Sequence, residues 1–221
     1  MKKLSLVICV YNEEQNIAPL HQQIVDALSD YEYETIFVDD GSTDKTRKNI
    51  LQIKDDRLIL VQLRKNYGQS SALAAGISIA TGEYIVTLDG DLQNDPSDIP
   101  MMLNLAESED WDLVAGIRDK RKDGLFLRLI PSKIANYFIR LLTRVNIKDY
   151  GCTLKIYKNE TAKELGLYGE LHRFIPILAS SNGASITQVS VKHHARIYGK
   201  TKYNILRTFK VISDLILMVF L

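Results

Sequence analysis

The chain has 221 residues, 46% of them hydrophobic and 25% charged, which is enough apolar matter for one sizeable core and excludes an intrinsically disordered polypeptide. Its formal net charge of +1 conceals a split: residues 1–115 carry 9 Lys+Arg against 20 Asp+Glu, a net of −11, and residues 116–221 carry 19 against 7, a net of +12. Unless the clustering is chance on a solvated surface, such halves suit a cation on one side and phosphates or an anionic membrane on the other. The two cysteines, Cys9 and Cys152, form no C-x-x-C pair and read as a reducing compartment without structural zinc. Met1-Lys2-Lys3-Leu4 lacks the length and cleavage site of a signal peptide, and Tyr11-Asn12-Glu13-Glu14 interrupts the apolar run behind it.

Leu4 to Val10 is unbroken and apolar, the pattern of a parallel strand covered on both faces. Ile17, Leu20, Ile24, Ala27 and Leu28 then recur at helical spacing. Thr35 to Val38 reads as a second strand ending in Asp39-Asp40-Gly41-Ser42-Thr43-Asp44, with Ser42 or Thr43 placed to cap a helix over roughly 44–53. A third strand is predicted from Leu58 to Leu63. The polar turn Arg64-Lys65-Asn66-Tyr67-Gly68-Gln69 leads from it to an Ala-rich helix, Ser70 to Ala80, which Thr81-Gly82 ends. Glu83-Tyr84-Ile85-Val86-Thr87 is the fourth strand and delivers Leu88-Asp89-Gly90-Asp91-Leu92-Gln93. A helix from Pro96 to Ala106 and a strand from Asp112 to Gly116 complete the first half. The order β-α-β-α-β-α-β predicts an open, mostly parallel α/β sheet whose ligands bind beyond the carboxyl ends of the strands.

Three of those ends carry carboxylates: Glu13, Asp39 with Asp40, and Asp89 with Asp91. If the fourth strand continues through them, Asp89 and Asp91 lie on one side and repel unless a cation sits between them. Mg²⁺ or Mn²⁺ is the natural occupant, and the amide oxygen of Gln93 can add a ligand. An isolated D-x-D is more often a solvated turn; three acidic strand ends in one sheet are what single out a site. No G-x-G-x-x-G follows the first strand and no G-x-x-x-x-G-K-[ST] occurs, which disfavours an ordinary dinucleotide fold and a P-loop.

The second half is different in character. Arg118 to Lys122 is a basic loop, broken at Gly124. Ile134, Tyr137, Phe138, Leu141, Leu142 and Val145 recur at helical spacing, with Lys133, Arg140 and Arg144 on another face. That cationic amphipathic pattern fits a membrane interface, or equally a helix on the sheet with a charged outer face. Asp149 to Thr153 reads as a turn, Ser185 to Val191 as a strand, and His193 to Tyr203 as a basic loop hinged at Gly199. Leu215 to Leu221 is apolar but too short to span a bilayer, which takes about 20 residues.

Taken in order, Val10-Tyr11-Asn12-Glu13, Val38-Asp39-Asp40-Gly41-Ser42-Thr43-Asp44, Leu88-Asp89-Gly90-Asp91-Leu92-Gln93, His172-Arg173-Phe174-Ile175-Pro176 and the segment from Arg196 to Lys202-Tyr203 carry a resemblance. Over nearly the whole chain it resembles the inverting glycosyltransferases of the GT-A fold, in the large family that includes dolichyl-phosphate mannose synthase. Asp149-Tyr150-Gly151-Cys152 and His193-His194-Ala195 are similar to the bacterial branch that transfers an aminoarabinose to undecaprenyl phosphate. The resemblance implies a metal-dependent, inverting hexosyl- or pentosyltransferase that moves a sugar from a nucleoside-diphosphate sugar, UDP-sugar favoured and GDP-mannose allowed, to a polyprenyl (undecaprenyl or dolichyl) phosphate.

Through that resemblance, Tyr11, Asn12, Glu13, Asp39, Asp40, Arg196 and Lys202 are assigned to the nucleotide sugar, with Lys200 nearby. Asp89, Asp91 and Gln93 are assigned to Mg²⁺ or Mn²⁺, and Arg118, Arg128 and Ser132 to the acceptor phosphate; Asp89, Asp91, Arg118 and Arg128 form the catalytic set. A lipid phosphate is already an oxyanion at neutral pH, so such a site needs positioning and charge management more than a general base. Residues 1–117 are then the nucleotide-sugar half, 118–203 the acceptor half of the same catalytic domain, and 204–221 a juxtamembrane amphipathic helix. Two membrane helices are expected beyond Leu221, as in the bacterial branch; otherwise attachment would rest on segments 125–145 and 205–221. The expected location is the cytoplasmic face of a membrane (the inner membrane and cell envelope in a bacterium), with a homo-oligomer allowed and no nucleic-acid partner. Three other readings stand beside this one: transfer to a glycan hydroxyl without a lipid phosphate, a phosphohydrolase using D-x-D as nucleophile and acid, and a non-catalytic nucleotide-binding module.

Overall fold

The computed structural model describes residues 3–118 and 147–198. In chain order its elements are β1 (Leu4–Val10), α1 (Ile17–Ala27), β2 (Tyr33–Asp39), α2 (Thr46–Leu51), β3 (Leu58–Gln62), α3 (Gln69–Ile79), β4 (Tyr84–Asp89), α4 (Ile99–Ser108), β5 (Leu113–Arg118), β6 (Lys155–Lys158), α5 (Asn159–Lys163), α6 (Ile175–Ser181) and β7 (Ile186–Val191). The strands form one sheet in the order β3-β2-β1-β4-β6-β5-β7. β3, β2, β1 and β4 are mutually parallel, β6 runs antiparallel to both β4 and β5, and β7 is parallel to β5.

Alternation along β1 explains why its run is apolar apart from Ser5, whose buried hydroxyl donates to Glu34. Leu4, Leu6, Ile8 and Val10 pack in one core with Ile17, Leu20 and Ile24 of α1 and Met102 and Leu103 of α4. Val7 turns to the opposite core, with Ala72, Leu73 and Ile77 of α3. Each such side chain contributes about 1.5–3 kcal/mol by leaving water. A central parallel strand has no solvent face, so it has no polar alternation to show.

The open, mostly parallel sheet is as the element order predicts, and several local details differ. β6 was not expected, because its first residue, Lys155, is buried and breaks the apolar pattern. α5 and α6 were likewise not anticipated. Lys45, not Ser42 or Thr43, precedes α2, and it makes no side-chain cap bond. Ser42 and Thr43 serve Asn12 instead: Asn12 N–H donates to Ser42 Oγ at 2.9 Å, and Thr43 N–H to Asn12 Oδ1 at 2.8 Å. α3 ends at Ile79 with extended Ala80, before Thr81-Gly82. Pro96 opens a 3-10 turn through Asp98, and the α-helix starts only at Ile99. β4 stops at Asp89, so Asp91 lies in a turn and strand alternation does not set its direction. The amphipathic segments 125–145 and 205–221 lie outside the described residues, as do Arg128, Ser132, Lys200 and Lys202.

Candidate active site

The carboxyl ends of β1, β2 and β4 bring the predicted acids to one edge of the sheet, since Val10 pairs with Asp39 and Cys9 with Asp89 in register. Glu13 is buried beside Asn16, whose Nδ2 donates to Glu13 Oε2 at 2.5 Å. Asp39 is fully buried, accepts Ser42 N–H at 2.9 Å on Oδ1, and holds Arg47 on Oδ2 at 2.8 Å. Asp40 accepts the backbone N–H groups of Tyr67 and Gly68 at 2.7 and 2.9 Å. It therefore ties the loop after β3 to the end of β2. Burial pushes the Asp40 carboxyl up, and those two N–H donors oppose the shift.

Past β4 the chain turns through Gly90 and then Leu92, which is buried yet sits at φ 63° in the left-handed region. A side chain other than Gly, Asn or Asp there costs on the order of 1–2 kcal/mol, which the surroundings must offset. The turn folds Gln93 back so that its N–H donates to Asp91 Oδ1 at 3.2 Å. Arg196 reaches the same place: its Nη2 donates to Asp91 Oδ2 at 2.6 Å and to Gln93 Oε1 at 3.3 Å. Burial pushes the Asp91 carboxyl up to about 6, with the Asp89 charge adding to the rise and Arg196 opposing it. Asp89 is also raised by burial, against the pull of Thr153, Lys155, Arg118 and Arg196.

Residues outside the predicted set support this turn. Gln69, first in α3, donates from Nε2 to Asp89 Oδ1 at 2.8 Å. His172 Nδ1 shares a hydrogen bond with the hydroxyl of the next residue, Ser70, at 2.9 Å. The His172-Arg173-Phe174 stretch thus steadies the helix start that holds Asp89. Asn94 Oδ1 accepts Thr153 Oγ at 2.9 Å, and buried Lys155 donates its Nζ to the Cys152 carbonyl. Arg118 is clamped in a fork on Asp149, with Nε–Oδ2 and Nη2–Oδ1 both at 2.7 Å. Gln69 was visible in principle as the polar residue beyond the third strand; the roles of Lys155 and Asp149 needed the sheet pairing.

The description Glycosyl transferase family 2 matches residues 5–166. The chain belongs to that family. The dodecaprenyl-phosphate galacturonate synthase of Rhizobium johnstonii is 47% identical over 225 residues, covering 99% of this chain and 67% of that protein. The undecaprenyl-phosphate 4-deoxy-4-formamido-L-arabinose transferase of Yersinia pestis is 38% identical over 221 residues, covering 98% and 67%. Among solved structures, glucosyl-3-phosphoglycerate synthase from Mycobacterium tuberculosis in complex with uridine diphosphate superposes with a TM-score of 0.74 at 18% identity, over 99% of this chain and 80% of that one. That likeness concerns the fold, which is GT-A-like.

In this family 2 transferase the oxygen donors fit a hard divalent cation. Asp91 and Gln93 already direct oxygens at one cationic nitrogen, with Asp89 one residue before the turn. Among the described residues no three Asp, Glu, His or Cys side chains converge as a closed metal cage. An open set of carboxylates and an amide is how Mg²⁺ is usually held when substrate phosphates complete its shell. No helix of the described residues is long and apolar enough to cross a membrane.

Proposed function

We propose that the chain transfers a sugar from a nucleoside-diphosphate sugar to a polyprenyl phosphate, with inversion at the anomeric carbon. The observation that carries this reading is the meeting of Asp91, Gln93 and Arg196 at the carboxyl edge of the sheet, beside Glu13, Asp39 and Asp40. Two relatives named as polyprenyl-phosphate sugar transferases or synthases, alike over almost the whole chain, support the lipid acceptor. A solved neighbour holding Mn²⁺ and UDP-glucose favours a uridine donor and a divalent metal.

On this reading Glu13, Asp39 and Asp40, acceptor-only groups, take hydrogen bonds from ribose hydroxyls and base N–H donors. Asp89, Asp91 and Gln93 hold Mg²⁺ or Mn²⁺, whose chemistry here is to neutralise charge gathering on the departing nucleoside diphosphate. Arg196, with Lys202, presents positive charge to the same diphosphate. Arg118, with its guanidinium plane fixed by Asp149, is assigned to the acceptor phosphate, as are Arg128 and Ser132. The acceptor oxyanion attacks the anomeric carbon directly, so positioning replaces proton abstraction. The reaction takes place at a membrane surface, on its cytoplasmic face.

The test is incubation of the protein with labelled UDP-sugars, Mn²⁺ or Mg²⁺ and undecaprenyl phosphate, followed by organic extraction. A labelled lipid product that disappears in Asp91→Asn is the expected result. Absence of a lipid-extractable product with every nucleotide sugar would sink the lipid-acceptor reading.

A further inference from the structure

Arg196 stands where a cation would be held. One nitrogen, Nη2, touches Asp91 Oδ2 at 2.6 Å and Gln93 Oε1 at 3.3 Å. Those two oxygens therefore face a common point. A divalent ion about 2.0–2.2 Å from the same oxygens would overlap the guanidinium and repel its charge. The arginine is delivered there by a laced segment. Lys192 N–H donates to Asp98 Oδ2 at 2.7 Å, and His193 bridges Asn94 in antiparallel fashion. His194 N–H donates to the Gln93 carbonyl at 2.9 Å, and its Nε2 lies 3.1 Å from Asp95 Oδ2. Among the described residues Arg196 engages only through Nη2, which leaves Nε and Nη1 for another anion.

We propose that Arg196 and the divalent cation exchange places on Asp91 and Gln93, so that the cation enters together with the donor diphosphate rather than ahead of it. The idea rests on the metal assignment above and adds an order of events to it. Without a diphosphate, the cation must break an ion pair whose side chains are only 26% and 10% exposed and leave Arg196 with no carboxylate. With a diphosphate present, two cationic groups have two anionic ones. The guanidinium moves from Asp91 to a phosphate oxygen, and the vacated carboxylate takes the metal. In the resting enzyme the arginine is the counter-ion of the acidic turn.

The experiment is Mn²⁺ titration followed by the electron paramagnetic resonance of the free ion, with and without UDP. It compares wild type, Arg196→Gln, Arg196→Lys, Lys192→Gln and Asp91→Asn, with circular dichroism checking that each folds. Wild type is expected to bind Mn²⁺ at least about tenfold more tightly when UDP is present. Arg196→Gln should bind Mn²⁺ alone about tenfold more tightly than wild type, and the further gain on adding UDP should be about tenfold smaller than in wild type, since only the phosphate contact to the metal is left to supply it. Arg196→Lys, which keeps the charge and loses the fork, should fall between the two. Lys192→Gln removes a charge from the same segment, one that pairs with Asp95 and Asp98 at 3.7 and 3.9 Å, and should leave Mn²⁺ affinity within about twofold. An equal gain in Lys192→Gln would mean general repulsion and overturn the exchange. Unchanged Mn²⁺ affinity in Arg196→Gln, with a loss in Asp91→Asn, would overturn the exchange and leave the metal site standing. Mn²⁺ binding indifferent to Asp91→Asn would overturn the metal assignment itself.

Discussion

Gly90 separates the two acids of the D-x-D turn because β1 leaves no room for anything larger. A Cβ at Gly90 would lie 2.6 Å from Val10 Cγ1 and 3.3 Å from the Cys9 carbonyl oxygen. Ordinary carbon–carbon contact is about 3.5–4.0 Å, so Gly90→Ala demands a shift of about 1 Å. Val10 is only 2% exposed and packs in the core, so its methyl cannot simply swing away. The overpacking should cost about 1–3 kcal/mol. Val10→Ala alone removes two buried methyl groups and should cost roughly 2 kcal/mol, cavity included. In the double variant the new methyl fills space that Cγ1 vacated, so the pair should be less destabilised than the singles summed, by about 1 kcal/mol or more. Urea unfolding of the four proteins measures this. Sugar transfer adds a second readout: a displacement of about 1 Å in the turn should lower it by about 10²-fold in Gly90→Ala, with partial recovery in the double variant. Singles that add to within about 0.5 kcal/mol would refute the steric reasoning.

Two further predictions concern buried charge. Burial lowers the pKa of Lys155, so the unfolded chain binds its proton more tightly than the folded one, and stability should rise with pH up to the unfolded value of about 10.4. Urea midpoints at pH 7 and pH 10 should therefore climb for the parent relative to Lys155→Met; parallel behaviour would show that the lysine is not desolvated as described. Asp40→Asn turns one acceptor oxygen into an NH₂ group facing the Tyr67 or Gly68 N–H, and should cost about 1–3 kcal/mol in unfolding while weakening UDP binding. An unchanged midpoint would show that Asp40 does not hold that loop.

β1, β2 and β4 were legible because a parallel strand buried on both faces writes itself largely as an apolar run, and β3, half-buried at the sheet edge, because its residues before Gln62 are apolar all the same; each was followed by a turn signal. The site was legible for the same reason: in an open sheet the polar residues just past such runs gather at one edge, as Glu13, Asp39 and Asp89 do. β6 was not, because Lys155 stands where the pattern asks for an apolar residue and its partners, Thr87 and Ala115, are distant in sequence. The condition for alternation to align Asp89 with Asp91 was not met, because β4 ends at Asp89 and the chain turns at Gly90; the left-handed Leu92 that follows has no mark in an apolar side chain. Gln69 could be seen as polar and turn-adjacent, but its bond to Asp89 depends on how α3 packs on β1 and β2. The fork of Asp149 on Arg118 joins the end of β5 to a turn 31 residues later, which no local spacing encodes.

The charge split of the chain takes on a different meaning once these pairings are known. An acidic half with a net of −11 suggests bare carboxylates awaiting a cation. Instead Asp39 holds Arg47, Asp40 holds two backbone amides, Asp89 holds Gln69 and Asp91 holds Arg196. Three of these partners come from the acidic half itself and serve to fix loops, while Arg196 comes from the basic half. Of these four, only that last pair crosses between the halves. Asp39 is fully buried, so separating it from Arg47 would strand a charge out of water. Asp91 can give up Arg196 without stranding a charge when the arginine finds another anion. By this reasoning Asp91 is where the acidic half and the basic segment meet, and Asp39 and Asp40 keep the edge in shape in addition to the nucleoside contacts proposed for them.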